Sequence, residues 1–139
     1  MRLRKDAKVE LLRQVPLFAG CSKRELSEIS TLADELSLPA GTKLIEEGRQ
    51  GHEFFLLVDG IVEVSATGRE PKTLGAGTFF GEMALVSSRP RNATVTATSP
   101  VQVLVVHESG FRRLLHDSPQ IQLKVLQTLA DRAAENALH

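Results

Sequence analysis

Between Gly75 and Val95 the chain gathers residue types that can hold an anion. Gly75, Gly77 and Gly81 precede Glu82-Met83-Ala84-Leu85, and Arg89 and Arg91 flank Pro90. Glu82 to Val86 can form one helical turn, and Gly81 at its start allows close backbone approach. N–H groups at such a start point outward and favour negative charge. Arg91 follows close behind and can add a charge-assisted, bidentate bond to the same anion. A carboxylate facing that anion would repel it, so Glu82 is expected to accept a hydrogen bond from a hydroxyl beside the charge. In an arbitrary loop Arg91 would be a solvated side chain and Glu82 a carboxylate satisfying a helix start. Here both stand in one long connection between strands, and such connections are usually functional.

The other reactive residue types form no comparable constellation. His52, His107, His116 and His139 are scattered, and none stands at metal-ligand spacing from another. Cys21 is the only cysteine, which excludes an intrachain disulfide and a cysteine metal cluster. Beside a helix cap it reads as a small packing residue. No Ser/His/Asp arrangement or phosphate-loop motif can be made out, so the expectation is a binding protein with no catalytic residues, metal or cofactor. Seventeen basic residues balance seventeen acidic ones, whereas a nucleic-acid-binding domain usually carries a basic excess. No apolar run reaches the length of a membrane-spanning helix, and Met1-Arg2-Leu3-Arg4-Lys5 leads into Asp6 rather than into a signal peptide. A cytoplasmic protein with no membrane insertion and no direct nucleic-acid binding is expected.

The elements that must position the anion site follow from periodicity. A length of 139 residues argues for one domain, read in three parts: helical over residues 1–35, strand-rich over 36–106, helical over 108–139. Lys5 to Val15 places Val9, Leu11, Leu12 and Val15 near one face, and Pro16 stops the run. Ser22 caps a second helix, with Glu25 three residues on as a capping box and an apolar stripe from Leu26 through Ile29 to Leu36. From Leu36 to Val106, short apolar runs alternate with Gly, Pro and Asp every eight to twelve residues or so, as in an all-β sandwich or barrel. Asp59-Gly60 is the strongest hairpin signal in the chain. Ser118-Pro119 separates a short helix through Phe111 from a last one over about Pro119–Leu138. That last helix carries a wide apolar band that includes Val125, Leu129 and Ala133.

One arginine and one glutamate match the inventory of a ribose bearing a single internal phosphate. A 3′,5′-cyclic nucleotide has one negative charge, and only the 2′-hydroxyl of its sugar is free. The sequence resembles the cyclic nucleotide-binding domain family, the sensor domains of catabolite-activator and kinase regulatory-subunit type. Gly48, Gly51, Phe54 and Gly60 match that family's alternation of strand and glycine turn. Gly77, Phe80-Gly81-Glu82, Ala84-Leu85, Arg91 and Ala93-Thr94-Val95 match its phosphate-binding cassette almost residue for residue. The resemblance runs from about Phe18 to the last helix.

The resemblance implies a mainly β fold: a jelly-roll-like β-roll, or double-stranded β-helix, with N-terminal helices and C-terminal B and C helices. It also implies that Gly81 and Glu82 contact the ribose, that Ala84 and Asn92 offer contacts to the phosphate, and that Arg91 pairs with its charge. Met83 and Ala93 complete the cassette's ligand-facing set. Val64 and Leu74 would be apolar walls for the base, although they would be core residues in any sandwich. Arg132 and Asn136 of the last helix would lid the purine. Family members selective for cyclic GMP tend to carry threonine directly after the cassette arginine. Asn92 stands there, so cyclic AMP is the expected ligand and cyclic GMP the second candidate. The implied function is a non-catalytic regulatory module that relays binding through its last helix to an unknown effector, with homodimerisation through that helix as a further expectation. The alternatives are a nucleotide-independent interaction domain that keeps the fold, and the sensor half of a larger regulator, enzyme or channel. With no recognition helix read after the last helix, a complete transcription factor of the catabolite-activator type is not expected.

Overall fold

The computed structural model of the chain describes residues 3–87 and 89–137, with the side chains of residues 136 and 137 outside that description. Four α-helices and eight strands follow one another: α1 (Lys5–Arg13), α2 (Lys23–Ser30), β1 (Asp34–Leu38), β2 (Lys43–Ile45), β3 (Glu53–Asp59), β4 (Val62–Ser65), β5 (Lys72–Leu74), β6 (Phe79–Phe80), β7 (Thr94–Ala97), β8 (Val101–His107), α3 (Glu108–Asp117) and α4 (Pro119–Ala137). A 3₁₀ turn at Pro16–Phe18 follows α1, and another at Glu82–Leu85 follows β6. Two compact units result. One comprises the chain up to Ala33 together with the chain from Gly110 onward, and the other is the strand-built Asp34–Ser109.

In the helical unit, the expected capping box starts α2. The Ser22 hydroxyl accepts the Glu25 N–H at 3.2 Å, and the Glu25 carboxylate accepts the Ser22 N–H at 2.8 Å. The apolar stripe predicts that α2 reaches Leu36, but the helix stops at Ser30. Ser30 and Thr31 turn their hydroxyls back onto the carbonyls of Ser27 and Glu28, both at 2.6 Å. Such local bonds compete with helix continuation, and Leu36 instead lies in β1 opposite Val103. Phe18 and Phe111 are fully buried with ring centroids 5.7 Å apart. On α4, Ile121 and Val125 are buried, while Leu123 and Leu126 are exposed.

The strand-built unit consists of two antiparallel four-stranded sheets, in the orders β1-β8-β3-β6 and β2-β7-β4-β5. Alternate residues of strands from both sheets build a shared core: Phe55 and Leu57 of β3, Val62 of β4, Val95 and Ala97 of β7, and Val101, Val103 and Val105 of β8. Each fully buried side chain of this kind stabilises the fold by roughly 1.5–3 kcal/mol.

Asp59-Gly60, expected to close a hairpin, instead changes sheets. β3 already has β8 on one edge and β6 on the other, so no edge is left for β4, which pairs with β5 and β7. Gly60 makes the corner at φ 102°. A Cβ there would lie 2.7 Å from Val101 Cγ1 and would collide with the Pro100 carbonyl. The second sheet-changing corner, Thr98–Pro100, lies against the first. The Thr98 N–H donates to the Ile61 carbonyl at 2.9 Å, and the Ile61 N–H donates to Ser99 Oγ at 2.9 Å. The true hairpin of this region joins β4 to β5, with Val62 opposite Leu74 and Val64 opposite Lys72. The long connection between Gly75 and Pro90 is not wholly irregular, because Phe79 and Phe80 add a short strand to β3.

Candidate functional site

The expected helical turn is present as the 3₁₀ segment Glu82–Leu85. Gly81 precedes it at φ 76°, ψ 22°, a left-handed conformation that costs a residue with a Cβ about 1 kcal/mol or more. The Ala84 N–H closes the turn onto the Gly81 carbonyl at 3.0 Å, and the Ser87 N–H reaches the Met83 carbonyl at 2.8 Å. Ala84 and Leu85 are buried and root the turn against β3, while Met83 faces outward at 43% exposure. Glu82, in the same turn, is buried at 8% exposure.

Arg91 is held by its main chain and by its side chain. Its N–H donates to the Arg49 carbonyl at 2.7 Å, and its own carbonyl accepts the Gly48 N–H at 2.8 Å. These bonds lash the lead-in of β7 to the turn that precedes β3. The guanidinium then donates from Nη2 to the Glu53 carbonyl at 2.6 Å. On its way it crosses the space that side chains at Gly51 and Gly81 would fill, and a Cβ on either glycine would collide with it. Burial lowers the affinity of Arg91 for its proton relative to a solvated arginine, and the nearby Glu53 carboxylate opposes that shift. Arginine remains charged throughout the accessible pH range regardless. The result is a desolvated cation bonded to a neutral carbonyl.

That cation lines a cavity of about 570 Å³ together with Gly81, Met83 and Ala84 of the turn and Arg89 and Asn92 beside it. The volume lies within the usual range for small-molecule sites. Five sequence-predicted residues, Gly81, Met83, Ala84, Arg91 and Asn92, therefore border one space, and buried Glu82 stands in the same turn. Ala93 is half-buried immediately before β7. Val64 and Leu74 lie on β4 and β5, partly buried against the apolar core between the sheets. Arg132 is half-buried on α4, and the Asn136 side chain lies outside the described residues. Arg89 is exposed and also borders the cavity.

Sequence reasoning missed one residue of the Arg91 seat. Glu53 is 38 positions away from Arg91 and acts through its carbonyl, a group that every residue type carries, so no sequence signal could have marked it. Gly51 was visible as part of the family pattern, but its reason, room for the guanidinium, was not. Elsewhere, burial pushes the Cys21 thiol above its ordinary range, with Glu25 adding to the effect and Lys124 opposing it. This keeps it a poor nucleophile. Among the described residues no group of three or more His, Cys, Asp or Glu could hold a metal ion, and no helix is long and apolar enough to cross a membrane.

Residues 35–118 match the family described as the cyclic nucleotide-binding domain. A cyclic nucleotide-gated potassium channel of Rhizobium etli is 39% identical over 123 residues, covering 88% of this chain and 34% of the channel. A cAMP-dependent protein kinase regulatory subunit of Aspergillus fumigatus is 39% identical over 106 residues, 75% of this chain and 26% of the subunit. The chain thus spans about a third or less of the length of these relatives. Among solved structures, the N-terminal domain of a transcriptional regulator from Streptomyces coelicolor superposes with a TM-score of 0.80 at 28% identity, covering 91% of this chain and 92% of that domain. With the roll, the glycine-started turn and the seated arginine in place, the chain belongs to the cyclic nucleotide-binding domain family.

Proposed function

We propose that this chain senses cyclic AMP as a regulatory module without catalytic activity of its own. The observation that carries the reading is the Arg91 guanidinium, fixed between Gly51 and Gly81 and bordering the 570 Å³ cavity beside the Gly81–Ala84 turn. A singly charged cyclic phosphate meets there one cation already desolvated and oriented. Glu82 accepts the ribose 2′-hydroxyl, and the N–H groups of Ala84 and Asn92 turn toward the phosphate oxygens. The Ala84 N–H is engaged with the Gly81 carbonyl in this structure, so in this reading the turn adjusts as the anion arrives. Val64 and Leu74 wall the base, with Met83 and Ala93 flanking the sugar-phosphate. In this reading the last helix passes the change onward, so that the ligand shifts an existing equilibrium by its differential affinity for the two states. The kinase regulatory-subunit relative, named as cAMP-dependent, and the absence of threonine at position 92, where Asn92 stands, support cyclic AMP over cyclic GMP.

The test is calorimetric titration with each nucleotide in turn. Cyclic AMP should bind in the micromolar range, on the order of −8 kcal/mol, and more tightly than cyclic GMP. Absence of heat for both at millimolar concentration would overturn the reading, and equal affinities would remove the ligand preference.

A further inference from the structure

The seat of Arg91 is built on the two neighbours of His52. Gly51 leaves the room that the guanidinium crosses, and the Glu53 carbonyl accepts its Nη2 at 2.6 Å. This segment stands at one end of the β3–β8 ladder. Glu53 opposite His107 is the last pair, and after His107 the chain turns into α3. A strand end with no further pairing frays easily, but His52 is bonded through its N–H, its carbonyl and its ring. The N–H donates to Glu53 Oε1 at 3.2 Å, and the carbonyl accepts the Glu108 N–H at 2.7 Å. Glu108 Oε2 then accepts from the ring Nδ1 at 2.9 Å. Both residues belong to the strand-built unit, and neither lines the 570 Å³ cavity.

We infer that His52 and Glu108 are positioning residues for the anion site: their paired bonds pin the Gly51–Glu53 segment, so that the Gly51 gap and the Glu53 carbonyl stay aligned with Arg91. The inference rests on the reading of the cavity as the phosphate site and extends it to two residues outside the lining. One main-chain bond fixes the distance between the two strand ends. The side-chain bond adds a second point and removes rotation about the first. An isolated surface pair would contribute little. This pair differs in two respects. The Glu108 side chain is only 12% exposed, and the main-chain bond between the same two residues has already brought the partners together, so less ordering entropy is lost. What the pair supplies to the ligand is preorganisation of the arginine rather than a contact.

The experiment is a double-mutant cycle read by calorimetric titration of cyclic AMP, with thermal melting to confirm that each variant is folded at the titration temperature. His52→Ala and Glu108→Ala should each weaken binding about three- to tenfold, the range of one hydrogen bond. The double variant should be no weaker than either single one, because both remove the same bond. His52→Phe keeps a ring without the nitrogen and should match His52→Ala. Glu108→Gln restores an acceptor oxygen and should recover most of the affinity. Folded alanine variants that bind like wild type overturn the inference and leave the phosphate site standing. Losses that add in the double variant, or a Glu108→Gln variant as weak as Glu108→Ala, overturn it equally. A wild-type chain that binds no cyclic AMP overturns the site reading and this inference with it.

Discussion

Two cations of this chain are held in opposite ways. Lys124 of α4 bonds the Glu25 carboxylate, a charge meeting a charge at the capped start of α2. Arg91 bonds the neutral carbonyl of Glu53 and keeps its guanidinium at the border of a cavity. In the first pair the charge is used up in joining two helices. In the second the bond supplies orientation and leaves much of the positive field directed outward. A cation fixed by dipoles rather than by a carboxylate is prepared for an anion, which is the preorganisation that binding sites require. The contrast also explains the neighbouring residues: small glycines crowd Arg91, whereas Lys124 lies along the helical surface near Gly20.

The largest effect should come from Arg91→Ala. Removing it strands a desolvated phosphate, so cyclic AMP affinity should fall by about 2–5 kcal/mol in calorimetry while the chain still folds. Unchanged affinity would place the phosphate elsewhere and erase the contrast. Gly51→Ala should come next. Its Cβ collides with the guanidinium, and binding should fall by about 1–3 kcal/mol with little loss of stability, since an off-rotamer arginine costs only about 1 kcal/mol. A variant that binds normally would show that the seat is not required. Lys124→Met should invert the pattern, lowering unfolding stability by about 1–2 kcal/mol in urea melts by leaving the Glu25 carboxylate without its cation. Binding measured on the folded fraction should change far less than for Arg91→Ala.

The smallest expected effect is a pH slope. The bond from Lys124 holds the Glu25 carboxyl below its ordinary range, assisted by the bond from the Ser22 N–H. A carboxyl depressed in the folded state contributes stability that is fully present above its unfolded value. That stability is lost as pH falls through the lower folded one. Wild-type stability should therefore decline as pH falls below the ordinary carboxylate range, and Lys124→Met should flatten part of that decline. Identical slopes would assign the acid sensitivity to other carboxylates.

The local features of the fold were legible wherever one residue type has one physical reason to be there. The Ser22–Glu25 capping box, the proline that opens α4 and the turn after Gly81 all stand where their residues predict. Features that depend on partners distant in sequence were not legible. Asp59-Gly60 reads as a hairpin, because a two-residue turn looks the same whether the next strand returns to its neighbour or crosses to another sheet. Only the occupation of both β3 edges by β8 and β6 rules out the hairpin. Leu36 fits a helical stripe by spacing, yet the hydroxyls of Ser30 and Thr31 end the helix first and a free place beside β8 takes it into β1. In the site, Glu82 and Arg91 were visible because a charged side chain in a glycine-rich connection calls for a partner.

The sequence by itself therefore determined the chemistry on offer: one glycine-started turn, with Glu82 and Arg91 placed close behind Gly81 in a single connection. Those are properties of side chains and short-range geometry, carried by residues close along the chain. The tertiary structure alone decided that Arg91 is seated rather than solvated. It did so by bringing the Glu53 carbonyl and the empty space at Gly51 to it across about forty residues of chain. Spacing in sequence cannot encode that meeting, because it depends on how the two sheets close on each other and on a main-chain atom that every residue possesses.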